Sequence, residues 1–344
     1  MPFIIGCAYL WILFFKIQLT WQSALLLFLL ACTVSGFAIL GYFINDFFDS
    51  ETDRRAAKVN YISRLTPAQQ ALLLVAALAL SLLPWLWLPT DGASWGLLAL
   101  ELFLFLSYSL PVPRIKNIPV LSGLIDAWYA YVNFLLLIYH TYCLYTGRAE
   151  QPFIIYFAVG AFFIGFRNIL IHQINDIDKD RLSATVTLPQ KLGLPNTNIL
   201  LMVLLCTEIV FMLIAGVLIA RIKPVFYVWP IFYAVYIVVR FAQIQKVEAP
   251  LRFKQLRHIT DMAYQVWFPL LMLLISLKTD WRWSFLIPLH LALLIPSSYL
   301  RNFANHVGVP VNYTIYYLFL LFGVNLKTEK SSAFGYIRRR FKRV

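Results

Sequence analysis

Apolar residues gather along the chain into runs of near-membrane length, at about 1–19, 22–44, 67–88, 93–110, 120–143, 152–174, 195–220, 225–244, 261–277 and 283–300. About 20 apolar residues in a helix cross the ~30 Å hydrocarbon layer. Backbone groups in lipid find no water to bond, so each run is expected to be α-helical. Pro67, Pro89, Pro111, Pro113, Pro119, Pro152, Pro195 and Pro224 fall at the joints between runs, where a missing N–H costs least. Pro84, Pro230, Pro269 and Pro288 fall inside runs and predict kinks or breaks. The pattern is that of an all-α, polytopic membrane bundle of about nine or ten transmembrane helices. The bundle is expected over 1–310, followed over 311–344 by an interfacial segment, VNYTIYYLFLLFGV, and a basic tail ending IRRRFKRV.

Composition agrees: 61% of residues are hydrophobic and only 13% charged, a balance that soluble domains do not carry. The 17% aromatic content suits interfacial belts and an apolar cavity. A net charge of +13 raises the question of nucleic acid, but the bases sit in short loops and the tail. With the 45–66 loop placed inside, 21 of the 29 Lys and Arg fall in the inside loops and tail, against 5 outside. The positive-inside rule then turns that loop, and 175–194 with it, towards the cytoplasm. Attraction to anionic lipid accounts for the tail, so membrane lipids are expected partners and nucleic acid is not. Cys7, Cys32, Cys143 and Cys206 lie in apolar runs without metal-ligand spacing and read as small hydrophobes. The first run lacks a charged leader segment and reads as a span rather than a signal peptide.

Two loops carry the chemistry. Gly41 to Asn60, GYFINDFFDSETDRRAAKVN, ends the second run with Asp46, Asp49, Glu51 and Asp53, followed by Arg54, Arg55, Lys58 and Arg64. If the helix continues through this stretch, Tyr42, Asn45, Asp46, Asp49 and Asp53 form one stripe. Carboxylates this close repel one another unless a cation lies between them. An oxygen-only set without His or Cys suits a hard cation, Mg²⁺ before Zn²⁺. A second stretch, IHQINDIDKDRLSATVTLPQKLG, ends the sixth run with Asp176, Asp178 and Asp180. The two loops hold seven of the sixteen acidic residues. Two acidic clusters, each closing a span and each followed by bases, point to a binuclear Mg²⁺–diphosphate site.

These residues carry a resemblance. NDFFDSETD matches the NDxxDxxxD motif of the UbiA superfamily of intramembrane prenyltransferases, and DIDKD resembles that family's second, DxxxD motif. YSLPVPRIK, Tyr108 to Lys116, is similar to the basic segment between them. The similarity covers roughly residues 1–300 in the order and spacing of spans. It implies a bundle around a central cavity and transfer of a polyprenyl group from a prenyl diphosphate to a lipophilic, in some members aromatic, acceptor. It implies two Mg²⁺ ions, replaceable by Mn²⁺, held by Asn45, Asp46, Asp49, Asp53, Asp176 and Asp180. Arg54, Lys58, Arg114 and Lys116 are the corresponding diphosphate-binding candidates. One departure stands out: the NPxK-like segment common after the first motif is RAAKVN here. The superfamily also contains terpene cyclases and phosphoribosyl transferases to polyprenyl phosphate, and the chain is not placed among them by sequence.

Further polar residues inside or beside spans join the candidate list for catalysis or the acceptor pocket: Tyr108, Asp126, Arg167, Asn168, His172, Gln173 and Asp178. Asn168, His172 and Asp176 share a helical face. His172 fits either a general base or an orienting partner of Asp176. Asp126 fits a structural ion pair or an acceptor-pocket wall. Arg257, His258 and Asp261 form a third polar cluster that fits a closure of the cytoplasmic side. Glu101 and Glu208 are intramembrane acids with no motif around them. From a different class, intramembrane charges and proline-broken helices also suit a cation-coupled transporter, although here the acids gather at one membrane face.

Overall fold

The structure, a computed structural model, describes residues 2–55, 59–111, 115–182, 185–245 and 249–293. Lys58 and Arg114, the boundary at 310 and the 311–344 segment lie outside the described residues. All regular structure among those described is helical. Among the described residues seven helices are long and apolar enough to cross a membrane: Trp21–Arg54, Pro67–Leu86, Gly92–Ser109, Pro119–Thr146, Phe153–Asn175, Leu188–Ile222 and Pro224–Gln245. Two shorter apolar helices, Pro2–Phe14 and Ala263–Ser276, complete the set. The chain is thus a polytopic membrane bundle, and two of the expected spans are shorter than a full crossing.

The first helix, α1 (Pro2–Phe14), shows why. Every one of its 13 residues is buried, as an all-round apolar helix requires. At 1.5 Å per residue it is about 20 Å long, short of the hydrocarbon thickness. It is a core helix, packed on α12 (Phe268–Ser276) and α6 (Phe134–Thr146). Its end is sealed by Lys16 in the left-handed region, with the Ile17 N–H bonding the Ile12 carbonyl at 2.9 Å. The Lys223 ammonium bonds the free Phe14 carbonyl and lies 5.0 Å from the Phe14 ring centroid; burial pulls the Lys223 pKa down to about 8.

Helix α2 (Trp21–Arg55) runs 35 residues without a break, about 52 Å, so it leaves the membrane and carries the whole first motif on helix. α3 (Pro67–Leu82) begins at a capping box between Thr66 and Gln69, with Pro67 at the first turn. It packs against α2 where Gly36 faces the backbone of Ser81: a Cβ built on Gly36 would lie 2.4 Å from the Ser81 nitrogen. Lipid is as apolar as a side chain, so helices in membranes adhere by such close approach. α4 (Gly92–Ser109) is capped by Asp91, whose side chain accepts from Ser94 N at 2.9 Å and from His140 Nε2 at 2.8 Å. These bonds hold the Asp91 carboxyl below the usual carboxylate range, at about 2.

The fifth span is built in three pieces: α5 (Pro119–Ala127), a π-helical turn over Trp128–Asn133, and α6, closed by Gly147 in the left-handed region (φ 64°). A π turn inserts an additional residue per turn and re-aims side chains. α7 (Phe153–Asn175) delivers the second motif into the short α8 (Ile177–Leu182). α7 packs against α9 (Leu188–Ile222) along most of its length. α9 is bent near its start at Gly193 (φ 74°). α10 (Val228–Gln245), α11 (Ala249–Arg257), a second π turn over Ala263–Trp267 leading into α12, and α13 (Leu286–Leu293) complete the described residues.

Candidate active site

The C-terminal turns of α2, which end the first motif, meet the Ile115–Asn117 turn; that turn leads into α5, and α5 packs on α7, whose end carries the second motif. Because α2 stays helical through the first motif, Asn45, Asp46, Asp49 and Asp53 stand on one face. The Lys116 ammonium lies against that face, ion-paired to Asp49 and 3.4 Å from Asn45 Oδ1. Lys116 and Asp49 side chains are 11% and 10% exposed, so the contact is desolvated and strong. This brings together two residues 67 positions apart that the sequence assigns to one diphosphate site.

Asn60 completes the first motif, although no spacing in the sequence marks it as a site residue. It donates to the Asp46 carbonyl at 2.7 Å and to Asp53 Oδ2 at 2.9 Å, folding the chain back along α2. Asp46 lies in the electrostatic field of Asp53, Asp49 and Lys116. Like charges stay apart unless something cationic joins them, and here Asp49 turns to Lys116 while Asp53 turns to Asn60. Among the described residues no three His, Cys, Asp or Glu side chains are close enough to cage a metal ion. Two members of the expected set are open to solvent. Tyr42 shares the helical face of the acids and is 77% exposed. Arg54 pairs with Glu51 at 2.7 Å with its side chain 79% exposed: three residues apart near the helix end, the two satisfy each other in solvent.

In the second motif Asp180 is buried and Asp176 half-buried as the cap of α7, its N–H bonded to the His172 carbonyl at 3.0 Å. Asp178 is on the outer side of α8, 3.7 Å from Arg181 and open to solvent. His172 is exposed, and Gln173 is buried with its Oε1 unpartnered. Tyr108, at the end of α4, lies in the electrostatic field of Asp126, Asp49 and Asp180. Asp126 accepts the Tyr129 hydroxyl at 2.6 Å. The Tyr129 ring packs on Phe105 at 4.4 Å and edge-on to Tyr108 at 5.6 Å between centroids. Tyr129 sits on the π turn, and no local signal in the sequence marks it.

Arg167 and Asn168 face different neighbours. Asn168 donates to the Tyr131 hydroxyl at 2.7 Å and so faces the π turn. Arg167 is 1% exposed and donates to Glu208 Oε2 at 2.7 Å, to Thr260 Oγ1 at 2.6 Å and to the Arg257 carbonyl. Asp261 lies 3.7 Å away. The lone acid Glu208 and the third polar cluster are therefore one network with Arg167, tying α7 to α9 and to the segment after α11. Arg257 donates from its own side chain to Asn198 Oδ1 at 2.8 Å, and burial lowers its pKa.

The profile of the UbiA prenyltransferase family matches residues 4–258. No curated protein matches the chain. Among solved structures, a UbiA homologue from Aeropyrum pernix K1 in its apo form is similar at 16% identity, with a TM-score of 0.58 over 81% of this chain and 97% of that one. A UbiA homologue from Archaeoglobus fulgidus bound to GPP and Mg²⁺ is similar at 19% identity, with a TM-score of 0.52 over 80% of this chain and 95% of that one. Identities this low establish a shared fold. The profile match, over most of the length, shows the family: the chain belongs to the UbiA prenyltransferase family.

Proposed function

We propose that the protein transfers a polyprenyl group from a prenyl diphosphate to a lipophilic acceptor inside the membrane, with Mg²⁺ as cofactor. The observation that carries this reading is the seating of Lys116, from the basic segment, on Asn45 and Asp49 of the first motif. The Archaeoglobus relative is bound to GPP and Mg²⁺, which supports a prenyl diphosphate and a divalent cation here. The donor set fits a hard cation in kind: Asn45, Asp46, Asp49 and Asp53 on one side and Asp176 and Asp180 on the other offer oxygen alone. Two ions, with Mn²⁺ able to substitute, are the natural complement for two such clusters. Bound Mg²⁺ would neutralise charge building on the departing diphosphate.

The chain's own residues do the rest. Lys116 is placed to donate to diphosphate oxygens at the first motif. The Tyr129 ring, whose hydroxyl bonds Asp126, packs with Phe105 and Tyr108 into an aromatic cluster, where an allylic cation left by carbon–oxygen cleavage would be attracted and kept from water. Loops bearing the acids are assigned to the cytoplasmic face by their basic residues. The test is diphosphate release by the purified full chain in lipid nanodiscs with Mg²⁺ and labelled prenyl diphosphates. Release should stop with EDTA, and Asp49→Ala and Asp176→Ala should each abolish it while remaining monodisperse. Full turnover in chelator would remove the metal-dependent reading; misfolding of both variants would make the acids structural.

A further inference from the structure

One side of this site is marked by side chains that the diphosphate chemistry leaves unused. Asp126 stands within the span rather than at its end, and only one of its oxygens takes the Tyr129 hydroxyl. A carboxylate offers about four lone-pair sites, so Asp126 retains capacity for another donor. Two turns deeper, Glu101 and Asn133 are both 0% exposed. Asn133 spends its amide donors on Glu101 Oε2 at 2.7 Å and the Leu97 carbonyl at 2.9 Å. That leaves Glu101 Oε1 and Asn133 Oδ1 buried with no partner. A buried polar atom left unpartnered bears its full desolvation penalty, so two on one wall require an explanation. Tyr129 connects the levels, with both Asp126 and Glu101 acting electrostatically on its hydroxyl.

What this wall lacks is positive charge. Arg167 is the sole Lys or Arg in the spans 92–109, 119–146 and 153–175, and its donors are taken by Glu208, Thr260 and the Arg257 carbonyl. Lys116, at the mouth, is held on Asp49. A ligand at this wall would meet the half-buried Asp126 carboxylate, with the Glu101 and Asn133 oxygens fully buried behind that carboxylate. It would need to present donors, and it would carry no negative charge, because like charges repel strongly in a desolvated site.

We infer that the wall formed by α4 and the π turn over Trp128–Asn133 is the acceptor side of the site, and that Asp126 makes it selective for an uncharged, hydroxyl-bearing lipophile over a carboxylated one. This rests on the prenyl-transfer reading for its place in a reaction, but not for the binding preference itself. The acceptor class is thus a phenol or an alcohol on an apolar body, held by donation of its hydroxyl to Asp126. Tyr129 is a positioning residue, holding the carboxylate by the bond at 2.6 Å.

The experiment measures binding of para-nonylphenol and para-nonylbenzoic acid to the full chain in nanodiscs at neutral pH, beside the diphosphate-release assay. The phenol is neutral there and the acid is charged. The phenol should bind at least about tenfold tighter, the minimum expected of one like-charge contact. Asp126→Asn should bring the two within about threefold of each other, since it removes the charge and keeps the shape. Tyr129→Phe, which keeps the ring packing, should give an intermediate ratio and supplies the answer if Asp126→Asn does not fold. Equal or tighter binding of the acid to the unaltered protein would overturn the inference, as would a ratio unmoved by either variant. A phenol preference without any diphosphate release would leave the selectivity standing and remove the transfer reading instead.

Discussion

Two buried cations, a few ångströms from acids, behave differently at the residue scale. Lys116 sits on Asp49 at the mouth of the site, where a diphosphate would compete for it. Its loss should remove a contact that strengthens as the leaving group gains charge, at a cost of about 2–4 kcal/mol in the transition state. That is roughly a 30- to 1,000-fold fall in kcat/KM, with kcat affected as well as binding. Lys116→Arg should recover part of it. Steady-state kinetics on Lys116→Ala decide the matter; near-normal kcat/KM would show that the lysine only balances Asp49. Arg167 is deeper and ion-paired to Glu208. Removing it strands a buried carboxylate, and Arg167→Ala should destabilise the fold by about 3–5 kcal/mol. The double change Arg167→Met with Glu208→Leu leaves no fully buried charge behind, Asp261 keeping its bond to His258, and should recover most of that loss. Thermal unfolding in detergent distinguishes the two, and a double variant no better than the single would show that the remaining bonds to Thr260 and Arg257 matter more than the ion pair.

At the element scale the bundle depends on places where helices have no room for a side chain. A Cβ on Gly36 would meet the Ser81 backbone nitrogen at 2.4 Å, and one on Gly165 would meet the Ala127 Cα at 2.8 Å. The first contact joins α2, which bears the first motif, to α3; the second joins α7, which bears the second, to the end of α5 beside the π turn. Backbone cannot rotate aside as a flexible side chain does, so each substitution must push a pair of helices apart. Gly36→Leu should lower stability by about 1–3 kcal/mol, the usual cost of overpacking. Gly165→Leu should lower diphosphate release as well, because it shifts α7 against the turn carrying Tyr129 and Tyr131. Unfolding midpoints and release rates of the two variants test this; a stable, fully active Gly165→Leu protein would show that the site tolerates movement of α7.

For the whole molecule the open quantity is orientation. The charge count places the acidic loops on the cytoplasmic side, and the positions of Asn117 and Ala93 at opposite ends of α4 allow a direct check. In a cysteine-free background, Asn117→Cys should react with an impermeant thiol reagent from the cytoplasmic face alone, and Ala93→Cys from the other face alone. The reverse pattern would move the site across the membrane and leave the tail's bases to explain the charge bias.

The all-helical membrane bundle and the two aspartate motifs were legible along the chain because both signals are local: hydrocarbon thickness sets the length of an apolar run, and clustered charge in such a run is conspicuous. Local spacing could also place Asn45, Asp46, Asp49 and Asp53 on one stripe, since α2 stays helical there. It could not show that Tyr42 and Arg54 are exposed, because exposure depends on what packs beside them. Nor could periodicity show that thirteen apolar residues at the start form a core helix rather than a span, because an all-round apolar helix reads alike in lipid and in protein. The pairing of Lys116 with Asp49 and of Glu208 with Arg167 was decided by tertiary structure, since each joins residues on different elements. Charge and apolarity are properties of a segment and can be read in it; a partner is a property of the fold.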